Sequence, residues 1–259
     1  MLRFHEHGGV TLAFDMTGSG EPPLVFVHGW LCDRSHFAPQ MAHFATRHTV
    51  AALDLPGHGD SGRPTPGGGR YDVDQLAGDV LAIATAAGCE NPVVIGHSLG
   101  AVVALACAAR PGAVRAAVLL DCTPILDRAA KDFLTSALRE IETDTDGEYR
   151  RHFVGGWFLP TDTVRRDEIV AASGGAPASL AADAIRGLVH FDAAAAFAAV
   201  RVPLLSVRSG LPGDAPGDLR AACPTITIGQ TVGAGHFIQL EVPEQVNAMI
   251  ERFLVVNAL

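Results

Sequence analysis

The chain has 259 residues, 48% of them apolar, which is enough to bury the core of one α/β domain carrying an insertion. Its 19 basic and 28 acidic side chains give a formal charge of −9 with no Lys/Arg cluster, which argues against an extended phosphate-binding surface and hence against nucleic acid as a partner. No stretch approaches the roughly 18 uninterrupted apolar residues of a membrane span, and MLRFHEHGGVTLAF lacks an apolar run followed by a small-residue cleavage site, so a soluble cytoplasmic protein without membrane partners is expected.

Five cysteines, Cys32, Cys89, Cys107, Cys122 and Cys223, are odd in number and show no C-x-x-C spacing. They point to neither a disulfide framework nor a zinc site and read as small core residues.

Along the chain, strands are predicted at 2–7 and 10–16, flanking Gly8-Gly9 as an opening hairpin. Near-continuous apolar runs follow at 24–28, 48–54, 92–97, 114–121, 202–208 and 224–229, the pattern of strands covered on both faces. Helical patterns lie between them at 34–47, 71–88 and 98–110, with a last one at 243–255 opened by Pro243. Strand alternating with helix predicts an α/β fold with a doubly wound, mostly parallel sheet and helices on both faces. The segment PTPGGGR at 64–70 lacks Lys-Ser/Thr and follows no strand directly, so it reads as a connection rather than a phosphate loop.

The rhythm breaks between Pro124 and Ala199, where the pattern is helical and more charged and no strand stands out. The expected organisation is a core of residues 1–123 and 200–259, with 124–199 as a helical cap over the carboxyl ends of the strands, where ligands bind in such sheets.

The stretch VVIGHSLGAVVALA at 93–106 runs from a buried strand through Gly96-His97-Ser98-Leu99-Gly100 into a helix. A turn that tight holds its apex in a sparsely populated backbone conformation and needs neighbours without bulk, which Gly96 and Gly100 supply. It lifts the Ser98 hydroxyl above the sheet edge, beside free N–H groups at the helix start, which is the address of a nucleophile. A hydroxyl needs a base. His236, in VGAGHFIQ after the final strand, is the histidine best placed for that role. His5 and His7 alternate on an edge hairpin and read as solvated, and His97 as structural. An oxyanion formed at a carbonyl needs N–H donors, expected from the backbone of Leu99 and from Trp30 in FVHGWLCD.

Together, HGW at 28–30, DLPGHGDS at 54–61, GHSLG at 96–100 and GAGHF at 233–237 resemble the α/β-hydrolase superfamily, over nearly the whole chain outside the cap. The resemblance implies an eight-stranded, mostly parallel sheet with the helical cap inserted after the sixth strand. It assigns Asp54 and His58 to a structural loop near the site, with Ser61 expected to cap the turn that follows. It departs from the common pattern in the acid, which family members usually carry after the seventh strand. There the chain reads RSGLPGDAP, with Leu211-Pro212 near the expected position and Asp214 slightly late. Asp121, closing the preceding strand in AVLLDCTP, is the preferred acid and Asp214 the second choice. The former placement is similar to that of zearalenone-type lactone hydrolases and cofactor-free quinaldine-type dioxygenases.

The expected reaction is acyl transfer to Ser98 from a small hydrophobic ester or lactone, with no metal or organic cofactor. The expected substrate pocket draws on Trp30, Trp157, Phe158, His190, Phe191 and Phe237, with Phe153 beside them. Two alternatives remain: a cofactor-free dioxygenase of the quinaldine type, which would consume oxygen, and a slow-turnover ligand receptor, which would not turn over rapidly.

Overall fold

A computed structural model describes residues 1–64, 70–122, 124, 127–210 and 216–259. Eight strands form one sheet: β1 (Leu2–His7), β2 (Val10–Thr17), β3 (Leu24–Val27), β4 (Val50–Leu53), β5 (Val93–His97), β6 (Ala116–Leu120), β7 (Leu204–Arg208) and β8 (Thr227–Gln230). Their order across the sheet is β1-β2-β4-β3-β5-β6-β7-β8. β1 pairs antiparallel with β2 and β2 antiparallel with β4, and every other pairing is parallel. Gly8 and Gly9 both adopt positive φ, the conformation that a two-residue type I′ hairpin turn requires.

Side chains alternate across the parallel strands, and each face has its own core. On one face Leu24 and Phe26 of β3 and Val118 and Leu120 of β6 pack with Phe44 of α1 (Ala38–Phe44) and Ile250 and Phe253 of α11 (Pro243–Val256). On the other face, Val25, Val27 and Leu119 pack with Leu76 and Val80 of α2 (Val73–Ala86) and with α3 (Leu99–Ala108), every residue of which is buried. The helical pattern expected over 34–47 resolves into a 3-10 turn, Arg34–Phe37, followed by α1, which starts with Pro at a first-turn position.

Between β6 and β7 the described chain is helical: α4 (Arg128–Thr143), α5 (Glu148–Gly155), α6 (Arg166–Gly175), α7 (Ala178–His190) and α8 (Ala193–Ala199). The first three, and the connection that leads into α7, are tied together by Arg150 and Asp144. These form a fully buried ion pair at 2.9 Å, and the guanidinium also donates to the carbonyls of Asp144, Ser173, Gly174 and Ala176. α8 packs back against α3 and buries Phe197. The remaining helices, α9 (Pro216–Ala222) and α10 (Ile238–Glu241), are too short to show a periodic pattern in the sequence. No described helix is long and apolar enough to cross a membrane.

Candidate active site

Ser98 stands at φ 54°, ψ −118°, between the end of β5 and the first residue of α3. A non-glycine residue held there stores on the order of 1–3 kcal/mol of strain, which the surrounding structure must impose. The imposition is visible. A Cβ on Gly96 would collide with the Gly100 carbonyl, and one on Gly100 would collide with the backbone of Val27 and His28. The Ser98 N–H is tied to the Leu120 carbonyl of β6 at 2.9 Å.

The loop after β3 runs directly beside this turn, since a Cβ on Gly29 would stand 3.1 Å from that of Ser98. His28 shapes it by accepting the Leu55 N–H on Nε2 at 3.0 Å and donating from Nδ1 to the Gly29 carbonyl at 2.8 Å. Burial lowers its pKa to about 4, so it stays neutral. The Trp30 indole donates to the Ala181 carbonyl of α7 at 3.0 Å, and its ring meets those of Phe153 and Trp157 at 5.9 Å each. Among the described residues, neither the Trp30 nor the Leu99 backbone N–H has a protein acceptor.

His236 follows β8 and is held at four points. Its Nδ1 meets Asp121 Oδ2 at 2.7 Å, its backbone N–H donates to the Trp157 carbonyl at 2.9 Å, its carbonyl accepts from His97 Nε2 at 2.9 Å, and the Trp157 ring crosses its imidazole edge-on at 4.8 Å. Its Nε2 is buried and has no partner among the described residues. Asp121, the residue after β6, adopts φ 43° and offers its other oxygen to the Ser209 N–H at 2.6 Å. Burial pushes its carboxyl up, but the hydrogen bond and charge of His236 together with the Ser209 N–H outweigh this, leaving the pKa below the ordinary carboxylate value. Asp214 lies outside the described residues, as do Leu211, Pro212 and most of the glycine-rich loop at 65–69.

His97, the residue before Ser98, is fully buried, and burial with His236 nearby holds its pKa well below the usual histidine value. Because its Nε2 faces a carbonyl, that nitrogen carries the proton. Its structural role is thus specific: it joins the serine turn to the backbone of the histidine loop.

Asp54 accepts the N–H groups of Arg34 and Asp60 at 2.7 and 2.9 Å and pairs with the Arg34 guanidinium, so it braces its own loop. The expected turn cap at Ser61 is corrected. Its hydroxyl donates back to the Asp54 carbonyl at 2.7 Å and accepts the Ala13 N–H of β2 at 2.9 Å, stitching the loop to the sheet. His58 is buried against His28, and its pKa falls to about 3 through desolvation.

Of the expected pocket residues, Trp30 and Trp157 gather beside His236. Phe158 and Phe237 stack on each other at 4.8 Å and are buried, with Phe237 touching His97 and His236. The structure does not bring His190 and Phe191 to this place. They sit at the C-terminal end of α7, which packs there against the start of α2, and line a separate groove with Asp72, Val73, Asp74 and Gln75. Of the cysteines, Cys122 is partly exposed and the other four are buried, and all are free. The described residues contain no group of three or more His, Cys, Asp or Glu arranged to hold a metal ion.

A sheet in this order, with the serine at a left-handed turn after a central strand, the aspartate after the adjacent strand β6 and the histidine in the loop after β8, has the architecture of an α/β hydrolase. The chain belongs to the alpha/beta hydrolase family, whose model matches residues 24–249. It is 29% identical over 276 residues to 2-(acetamidomethylene)succinate hydrolase of Mesorhizobium japonicum, covering 95% of this chain and 92% of that one. It is also 29% identical to the pimeloyl-[acyl-carrier protein] methyl ester esterase of Xanthomonas campestris, over 93% of this chain and 97% of the other. An enol-lactonase from Burkholderia xenovorans shares the fold with a TM-score of 0.84 at 19% identity, over 98% of this chain and 100% of that one.

Proposed function

We propose that the chain is a serine hydrolase that cleaves an ester or lactone bond of a small hydrophobic substrate through an acyl-enzyme. The observation that carries this reading is the state of His236: Nδ1 is committed to a buried carboxylate, Nε2 is buried and unpartnered, and the imidazole packs against His97, the residue before Ser98. In this scheme Ser98 Oγ attacks the carbonyl carbon as its proton passes to His236 Nε2. The oxyanion is met by the Leu99 and Trp30 N–H groups, and the proton is then given to the departing alkoxide. Water repeats the sequence on the acyl-enzyme and releases the acid. Asp121 holds the imidazole tautomer and stabilises its charged form. Trp157 and Trp30 supply an apolar wall, and the helices between β6 and β7 act as the lid. The family relationship and the hydrolase relatives named above support this chemistry.

The test is a panel of p-nitrophenyl esters and simple lactones, followed by pH-stat and oxygen electrode together. Rapid multiple turnover with proton release and no oxygen uptake is expected. Oxygen consumption in step with substrate loss would replace this reading by the dioxygenase. A single stoichiometric turnover would replace it by a receptor.

A further inference from the structure

The loop that carries His236 does not stand alone. The segment from Trp157 to Val164, between α5 and α6, lies along it and is bonded to it at successive points. Trp157 accepts the His236 N–H on its carbonyl at 2.9 Å. Glu241 in α10 accepts the N–H groups of Thr163 and Val164 at 3.3 and 2.9 Å. Between these, Asp162, only 1% exposed, reaches inward. One of its oxygens, Oδ2, accepts both the Leu159 N–H at 2.7 Å and the Gly235 N–H at 2.9 Å. The approach is so close that a Cβ on Gly235 would stand 2.5 Å from the Trp157 carbonyl oxygen and 2.6 Å from Asp162 Oδ2. The second glycine of GAGHF is therefore required by this strap, not by its own backbone angles.

We infer that Asp162 is a positioning residue for His236: by clamping Gly235 to the turn at Leu159, it sets the Trp157 carbonyl under the His236 N–H and so aims the imidazole. The chain of dependence is short. Asp162 fixes the turn from Leu159 to Asp162, whose own N–H returns to the Leu159 carbonyl at 3.0 Å. The turn fixes Trp157, whose carbonyl holds the backbone of His236 and whose ring covers the imidazole. Asp121 can then meet Nδ1 without searching. A helical segment that was expected to cover the substrate thus also holds the base in register. The inference rests on the proposed role of His236 as the general base.

Because both bonds converge on one oxygen, an amide can reproduce them and a methyl cannot. Asp162→Asn and Asp162→Ala of the full chain separate clamping from charge. For Asp162→Ala, kcat is expected to fall about 10- to 100-fold with KM changed by less than about threefold, since a misaimed base slows chemistry more than binding. Asp162→Asn should recover kcat to within about fivefold of wild type, because its carbonyl oxygen restores both acceptor contacts. The far-downfield proton resonance of the His236–Asp121 hydrogen bond should be lost or broadened in the alanine variant and present in the asparagine variant.

An alanine variant with unchanged kcat overturns the inference, as does one whose kcat falls while the resonance stays sharp. An asparagine variant no better than alanine, though folded by circular dichroism, overturns it too. If alanine yields no folded protein, the asparagine variant decides alone: kcat near wild type with the resonance present supports the clamp, and a large loss overturns it. Should the wild type hydrolyse no ester and leave Ser98 unlabelled by a fluorophosphonate, the proposed function fails, while the resonance still reports whether Asp162 holds the imidazole.

Discussion

Ser209 donates its backbone N–H to Asp121 Oδ1 at 2.6 Å, so the carboxylate that follows β6 is held by the first residue past β7. The two strand ends divide the work between them. β7 contributes a main-chain donor where many α/β hydrolases carry the acid, and β6 contributes the charge. His236 Nδ1 takes the other oxygen at 2.7 Å.

The acid is tested by exchanging amide for carboxylate at both candidate positions. Asp121→Asn should fold and lose about 10⁴-fold in kcat, since an amide favours the wrong imidazole tautomer. Asp214→Asn should remain close to wild type. Steady-state rates measured side by side check this, and the opposite ranking would move the acid to the loop after β7.

The same carboxylate sets a pH dependence of stability. Its folded pKa lies below the ordinary value of 3.8, so it binds fewer protons in the native state than in the unfolded one near that pH. Its contribution is therefore present above that value and is lost as pH falls through the lower, folded pKa. Thermal melts from pH 7 down to pH 2 should show the gap between wild type and Asp121→Asn closing at the acid end. A gap that widens there would reverse the sign.

The nucleophile can be labelled. A fluorophosphonate should modify Ser98 and abolish turnover, and Ser98→Ala should keep its fold and lose at least about 10³-fold in rate, leaving only binding and the oxyanion donors. Peptide mapping locates the adduct, and a different labelled serine with an active alanine variant would remove Ser98 from the scheme.

The glycines divide by their surroundings. Gly96→Ala forces a methyl group into the Gly100 carbonyl and should cost at least about 1–3 kcal/mol, the ordinary range for overpacking. Gly155, at the end of α5, has nothing within 4 Å of its would-be Cβ, and Gly155→Ala should be neutral or stabilising by up to about 1 kcal/mol. Urea unfolding of the two variants gives the comparison.

Removing Arg150 strands a buried carboxylate and several carbonyls. Arg150→Met should destabilise by about 3–5 kcal/mol, the usual result of breaking one side of a buried pair. Amide exchange should accelerate in α5 and α6 well before it does in β3, β5 and β6. Uniform acceleration would show instead that the helical segment and sheet unfold as one.

What the sequence by itself determined was local. Apolar runs of strand length, the small residues around Ser98 and the glycine pair of the hairpin each state a backbone requirement within a few positions, so the strand order in the chain, the tight turn and the helix opened by Pro243 were legible. Several of their ends fall inside the expected bounds, as at Val50–Leu53 within 48–54, because buried residues continue beyond the last ladder bond, while β2, β8 and the last helix each run one residue further than expected. Asp121 was legible only through its resemblance to a subset of hydrolases, since an aspartate at a strand end has many uses.

Only the tertiary structure decided which distant groups meet. Asp162 sits in LPTDT with no pattern to mark it, yet its carboxylate reaches Gly235, 73 residues away, because the strap between α5 and α6 folds across the histidine loop. His190 and Phe191 read as pocket aromatics in the chain, but the end of α7 sets them against the start of α2, in another groove. Ser209 holds Asp121 through its side chain and through its main-chain N–H, and the latter is a donor that every residue except proline has. Contacts made by backbone groups, or set by how distant segments cross, leave no mark in residue type, so the order of elements could be read along the chain while the Asp162 clamp on the histidine loop could not.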